Sequence, residues 1–155
     1  MAKVLALPNG NIFFTWFSQV GDASAKGIIY DQEFIVLVPE FIINTPETTP
    51  VSYLSNYDSD SFVFMEKYIF AAWSTKCIRD SYFEGLTLVG AFFDLKGNKK
   101  LEKNLMDHCS VAQGQPVVYP FPKNSLNVVW RELFNIRALG NATLYQKILK
   151  MDELD

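Results

Sequence analysis

Residues 11–20, NIFFTWFSQV, carry large apolar side chains at both odd and even positions. Successive side chains of an extended chain point to opposite sides, so Ile12, Phe14, Trp16 and Val20 share one face and Phe13 and Phe17 the other. A strand that is apolar on both faces has to be covered on both, by its own chain, by a partner or by a ligand. The strongest constraint in this sequence is therefore a demand for burial, and it brings no catalytic chemistry with it.

A chain of 155 residues suits one domain, here residues 1–155 with an internal loop at 44–50 and a fraying tail at 152–155. Folding at this size buries roughly 70% of the surface of the unfolded chain. A hydrophobic share of 49% and a charged share of 20% are those of a globular protein, not a disordered one. The outlier is an aromatic share of 15%, thirteen Phe, seven Tyr and three Trp, which is more ring surface than an interior of this size is expected to shelter. Aromatic residues serve cores and interfaces equally well, so some of them are expected in a contact surface.

A net charge of −3 argues against duplex nucleic acid, which is bound by clustered cations. Two cysteines, Cys77 and Cys109, are too few for a disulfide framework and are read as free thiols in a reducing cytoplasm. The opening residues through Val4-Leu5-Ala6-Leu7-Pro8 are too short for a secretory leader. Residues 28–43 are interrupted by Asp31, Glu33, Pro39 and Glu40, whereas a membrane-spanning helix takes about 20 mostly apolar residues. The expected location is cytoplasmic, or the host cytoplasm for a virus-encoded chain, with no membrane partner.

Pro8-Asn9-Gly10 between two apolar runs predicts a hairpin joining residues 3–7 to 12–20. Residues 28–30 and 34–38 read as strands about an Asp31-Gln32-Glu33 turn, with Pro39 ending or bending the second. For residues 58–85 the apolar spacing of Phe62, Met65, Ile69, Trp73 and Cys77 predicts a helix, the rival being a strand pair through 62–64 and 68–72. Residues 86–95 read as a central strand in which Gly90 marks a bulge or a close approach. Further helices are expected at 99–109, and as a C-terminal pair: one capped by Ser125 and stopped by Gly140, the next capped by Asn141. The expected fold is α+β, a mainly antiparallel sheet of about five or six strands packed on one side by helices.

Candidate chemistry is sparse. His108 and Cys109 are neighbours, and on a helix adjacent side chains point about 100° apart, the wrong geometry for a base activating a nucleophile. One histidine and two scattered cysteines offer no zinc spacing, and Asp58-Ser59-Asp60 lacks the glycine and glutamate of a calcium loop. Asp94, followed by Leu-Lys-Gly-Asn, reads as turn chemistry in which the side chain caps its own backbone. No phosphate loop or serine elbow occurs, and no cofactor is implied. Lys96, Lys99, Lys100 and Lys103 form the one basic cluster, a solvated face or a contact for an anion or acidic partner.

These features point to a non-catalytic interaction or assembly protein that presents aromatic surface to another protein or to copies of itself. Phe13, Trp16 and Phe17 are the expected anchors, with Trp130 and Phe134 as a second patch. In composition alone, small phage-encoded assembly factors share this profile. The alternative is a small-molecule binder or small enzyme whose aromatic-lined pocket takes polar groups from Tyr30, Tyr53, Tyr68, Asp94 and His108.

Overall fold

The computed structural model describes residues 2–18, 24–45, 61–65, 67–80, 83–110, 112–113, 116–122, 125–133 and 142–150. These residues form twelve strands, all paired antiparallel, and no helix. Sheet 1 is a meander of β1 (Ala2–Ala6), β2 (Ile12–Ser18), β3 (Ser24–Tyr30) and β4 (Val36–Ile42). Sheet 2 repeats the pattern with β5 (Ser61–Met65), β6 (Tyr68–Asp80), β7 (Phe83–Asp94) and β8 (Lys99–Asn104). In sheet 3, β10 (Val117–Phe121), β11 (Ser125–Leu133) and β12 (Ala142–Lys150) run in order, and β9 (Ala112–Gln113) pairs with the far end of β11.

Local chemistry places the turns. Gly10 takes φ +83° in the predicted hairpin, where the Asn9 side chain accepts from the Asn11 N–H. Pro39 sits where β4 slips register against β3 between Gly27 and Ile29, so the strand bends there and continues. At the β7–β8 turn Gly97 takes φ +79°, and Asp94 accepts from the backbone N–H groups of Lys96 and Asn98, each at 2.9 Å. Asp94 is thus the turn residue its sequence context predicts.

The three sheets stack face to face, with sheet 2 in the middle. Along β6, Ile69, Ala71 and Trp73 face sheet 1, where they meet Phe13, Ala25, Ile29 and Ile43. The alternate residues Tyr68, Phe70 and Ala72 face sheet 3 and meet Leu126, Val128, Trp130 and Leu149. Successive four-stranded antiparallel units packed by their faces are the arrangement of β-propeller blades and of layered β-sandwiches. At Gly90 the ladder is regular, and the close approach is from a side chain: a Cβ there would lie 2.6 Å from the Phe70 ring.

This all-β architecture overturns the α+β expectation. The predicted helix through residues 58–85 is replaced, in its described part, by β5, β6 and the start of β7, with Phe64 opposite Ile69 and Ser61 opposite Ala72. The cause is burial on both faces of sheet 2. A doubly covered strand reads as an unbroken apolar run, and such a run fits helical spacing as well as strand spacing. The 99–109 helix is instead β8 and the loop after it, and the C-terminal helical pair is β11 and β12. Along β11 the interior positions are Leu126, Val128 and Trp130, a period of two. Asp58, Ser59, Asp60, Tyr53, Val20 and Phe134, the tail at 152–155 and most of the 44–50 loop lie outside the described residues. No helix among the described residues is long and apolar enough to cross a membrane.

Candidate functional site

Stacking three sheets leaves two outer faces, one on sheet 1 and one on sheet 3. Strand register assigns the sheet 1 face to three rows: Ala6–Ile12–Tyr30–Val36, Val4–Phe14–Ile28 and Ala2–Trp16–Lys26–Ile42. Val4, Val36 and Ile42 are exposed there, and Ile12, Phe14, Trp16, Ile28 and Tyr30 are half-buried. Phe14 meets Tyr30 edge-on at 5.5 Å between ring centres, and Phe34 follows at 6.4 Å. Phe34 is 64% exposed and holds φ 61° in a turn that Asp31 fastens by accepting from the N–H groups of Glu33 and Ile35. A left-handed backbone at an exposed Phe runs against both conformational and hydrophobic preference, the kind of strain that accompanies functional positions.

The sheet 3 face carries the rows Val117–Val129–Gln146, Tyr119–Asn127–Ile148, Phe121–Ser125–Lys150 and Arg131–Leu144. Val117, Tyr119, Phe121, Leu144 and Ile148 are exposed. Asn127 is buried in its row; its Nδ2 donates to the Tyr119 hydroxyl at 2.6 Å, and its Oδ1 has no hydrogen-bond partner among the described residues.

The residues singled out from sequence divide between interior and surface. Phe13 is only 1% exposed, stacked 6.1 Å from Phe41 in the sheet 1–sheet 2 interior. Trp16 stands on the outer face, and Phe17 pairs with Ala25 in the ladder. Trp130 is buried toward sheet 2, stacked 5.9 Å from Tyr145. Of the lysine cluster, Lys99 pairs with Glu102 and lies over the Phe93 ring, and Lys100 pairs with Asp94 at 3.1 Å. Lys96 is exposed in the turn, and Lys103 is half-buried on β8 opposite Gly90.

A second feature lies around the loop after β8. The Cys77 and Cys109 thiols expected to be free are joined in a disulfide, their Cα atoms 6.0 Å apart, which ties β6 to the loop after β8. The expectation failed because the 32-residue separation says nothing about a pairing that the β6–β7–β8 meander creates. Beside it a pocket of about 490 Å³ is lined by Cys77, Thr87, Asn104, Met106, Asp107, His108 and Cys109.

Both ring nitrogens of His108 face carboxylates: Nδ1 lies 3.0 Å from Asp107 and Nε2 2.9 Å from Glu132. The Glu132 side chain is wholly buried and its other oxygen accepts from the Trp130 indole at 2.8 Å. Hydrogen bonds to Asp107 first, and then to Glu132, raise the His108 pKa above its ordinary value, against the opposing effect of burial. Asp107 is held below the usual carboxylate value, chiefly by its bond to His108. This array stabilises an imidazolium, and among the described residues no group of three or more His, Cys, Asp or Glu side chains could hold a metal ion. Glu132 is the member that sequence reasoning missed. Period-two counting from Leu126 through Val128 and Trp130 places it on the interior face.

No protein-family model and no curated protein matches the sequence. Among solved structures, the chain is similar to an endo-1,4-beta-xylanase from Bacteroides thetaiotaomicron, with a TM-score of 0.52 and 9% identity over 94% of this chain and 53% of that one. An alpha-L-arabinanase from Cellvibrio cellulosa gives a TM-score of 0.46 and 12% identity over 94% of this chain and 51% of that one. The chain thus spans about half the length of the solved chains it matches. At 9% identity the likeness to the xylanase structure concerns the fold alone.

Proposed function

We propose that this chain is a non-catalytic contact module that lays the apolar outer faces of its two end sheets against other polypeptide. The observation that carries the reading is asymmetry of cover: sheet 2 is buried on both faces, and sheets 1 and 3 each keep an apolar outer face exposed. Trp16, Phe14, Tyr30 and Phe34 are the anchors on one face, and Tyr119, Phe121, Leu144 and Ile148 on the other. Phe13 and Trp130 support these faces from the interior. The partner is a protein, this chain itself included; neither face gathers the cations that a nucleic-acid backbone would require.

A photo-crosslinking residue in place of Ile42 or Leu144 tests the reading in the cell. It predicts crosslinks to polypeptide from both positions and none above background from Lys96; equal yields at all three would refute it. Cytoplasmic location belongs to the same proposal, and thiol trapping in intact cells tests it: reduced Cys77 and Cys109 would support a reducing compartment, and an intact bond would point to an oxidising one.

The pocket beside His108 favours a second reading, binding of a polyhydroxylated ligand. Thr87, Asn104, Asp107 and His108 offer mixed donors and acceptors over a wall of Met106 and the disulfide. Xylo-oligosaccharides are the first probes, given the fold likeness. A thermal shift that Asn104→Ala removes would support this reading, and no shift at millimolar ligand would dismiss it.

A further inference from the structure

We propose that residues 105–110 form a latch between sheet 2 and sheet 3 with two releases: a dithiol reductant acting at Cys77–Cys109, and loss of the His108 proton that faces Glu132. With either tie in place the segment stays closed, and it opens when both are released. This goes beyond the contact-module reading and does not depend on what covers the outer faces.

The segment is tied to both sheets. Toward sheet 2, the Leu105 N–H donates to the Leu88 carbonyl at 2.7 Å, and Ser110 exchanges two backbone bonds with Leu86, each at 2.8 Å. Cys109 is joined to Cys77 on β6. Toward sheet 3, His108 Nε2 meets Glu132 on β11, and the Lys147 amine on β12 donates to the Leu105 carbonyl at 3.0 Å. Cys77 and Cys109 are half-buried and line the pocket, so a small dithiol reaches their bond from solvent. Met106, Asp107, His108 and Cys109 make one wall of that pocket, and release of the segment dismantles it.

Both ties yield to mild chemistry. One thiolate of the reductant bonds to a cysteine sulfur as the S–S bond breaks, and the second thiol then displaces that sulfur. The reductant leaves as a cyclic disulfide, and its two electrons and two protons end on Cys77 and Cys109 as thiols.

The groups that meet His108 are Asp107 on its own segment, Glu132 on β11 and the Tyr145 ring on β12; Lys147, also on β12, acts on Asp107. On the sheet 2 side, Cys77, Thr87 and Asn104 carry no charge while the bond is intact. Asp107 and Glu132 raise the His108 pKa in the closed segment. Asp107 travels with the segment and Glu132 does not, so on opening the value falls back toward 6.5. Opening therefore becomes easier as pH rises above 6.5, by at most about tenfold per pH unit.

Hydrogen exchange at the Leu105 and Ser110 amides tests the latch, with the Ile43 amide, bonded to the Ala25 carbonyl, as reference. The oxidised native chain, the native chain with dithiothreitol and Cys77→Ala/Cys109→Ala are compared at pH 6 and pH 8, below the ordinary thiol pKa of about 8.5. Rates are corrected for the intrinsic effect of pH on exchange. In the oxidised chain the two loop amides are expected to be as protected at pH 8 as at pH 6. In the other two states they should lose protection by up to about tenfold per pH unit above 6.5. Low urea should leave these rates unchanged, because a local opening exposes little surface. Adding His108→Gln should remove the pH dependence.

Loop amides that exchange at the rate and with the urea dependence of Ile43 would overturn the inference, since the segment would then open only as the whole chain unfolds. So would a reduced chain with no pH dependence, a pH dependence that survives His108→Gln, or an oxidised chain that opens as readily as the reduced one.

Discussion

His108 Nε2 lies 2.9 Å from Oε2 of Glu132, joining a half-exposed imidazole on the loop after β8 to a carboxylate fully enclosed on β11. A buried carboxylate is tolerable only while it is paired, so this contact fastens sheet 2 to sheet 3. The folded protein holds the proton on His108 more tightly than the unfolded chain does. The stabilisation is therefore complete below about pH 6.5 and is lost as pH rises through the higher folded pKa. The urea midpoint should fall from pH 6 to pH 9 in the native chain and stay flatter in His108→Gln. His108→Ala should cost about 1–3 kcal/mol at pH 6, as the penalty for an unpaired buried group.

Asp94 answers to acid. Burial works to raise its pKa, but the Asn98 side chain and backbone, Lys100 and the Lys96 N–H together lower it to about 2. Its contribution is present above pH 4 and lost as pH falls toward 2, so Asp94→Asn should remove about 1–2 kcal/mol at neutral pH and little at pH 2. Urea titrations at the two pH values give the comparison.

Gly90 is closely packed. A Cβ there would lie 2.6 Å from the Phe70 ring and 3.1 Å from Leu105. Gly90→Val should destabilise by about 1–3 kcal/mol through overpacking, and Phe70→Leu in the same chain should recover part of that loss. Thermal melts of the single and double variants test the coupling.

The Cys77–Cys109 bond closes a segment with a sequence separation of 32. Cys77→Ala/Cys109→Ala should lose about 4 kcal/mol by the chain-entropy account, and a reductant should lower the melting temperature of the native chain but not of the variant. A native chain indifferent to reductant would show that the bond contributes nothing.

Phe34 should trade stability against contact. Asn accepts its left-handed backbone more readily, so Phe34→Asn should raise stability by up to about 1 kcal/mol while weakening association. A variant that loses stability would show that the ring does more in its own chain than the turn costs.

Much of the local structure was legible in the sequence. The Asn9-Gly10 hairpin, the Asp94 turn and the strand through residues 86–95 were read from turn chemistry and β-branched content. The two-faced apolar pattern of β2 demanded cover on both sides, and the structure shows it on the Phe13 side, from sheet 2. The helix expected through residues 58–85 falls where strands are buried on both faces: Ile69 and Trp73 are four residues apart, a helical spacing, yet both lie on one strand face because four is also even. The Cys77–Cys109 bond and the His108–Glu132 pair escaped because each joins segments that only the meander and the stacking bring together.

The most direct test of the central claim is photo-crosslinking in the cell from positions 42 and 144, with position 96 as the control. The account predicts crosslinks to polypeptide from both faces and none above background from the control. Equal yields at all three positions would contradict it.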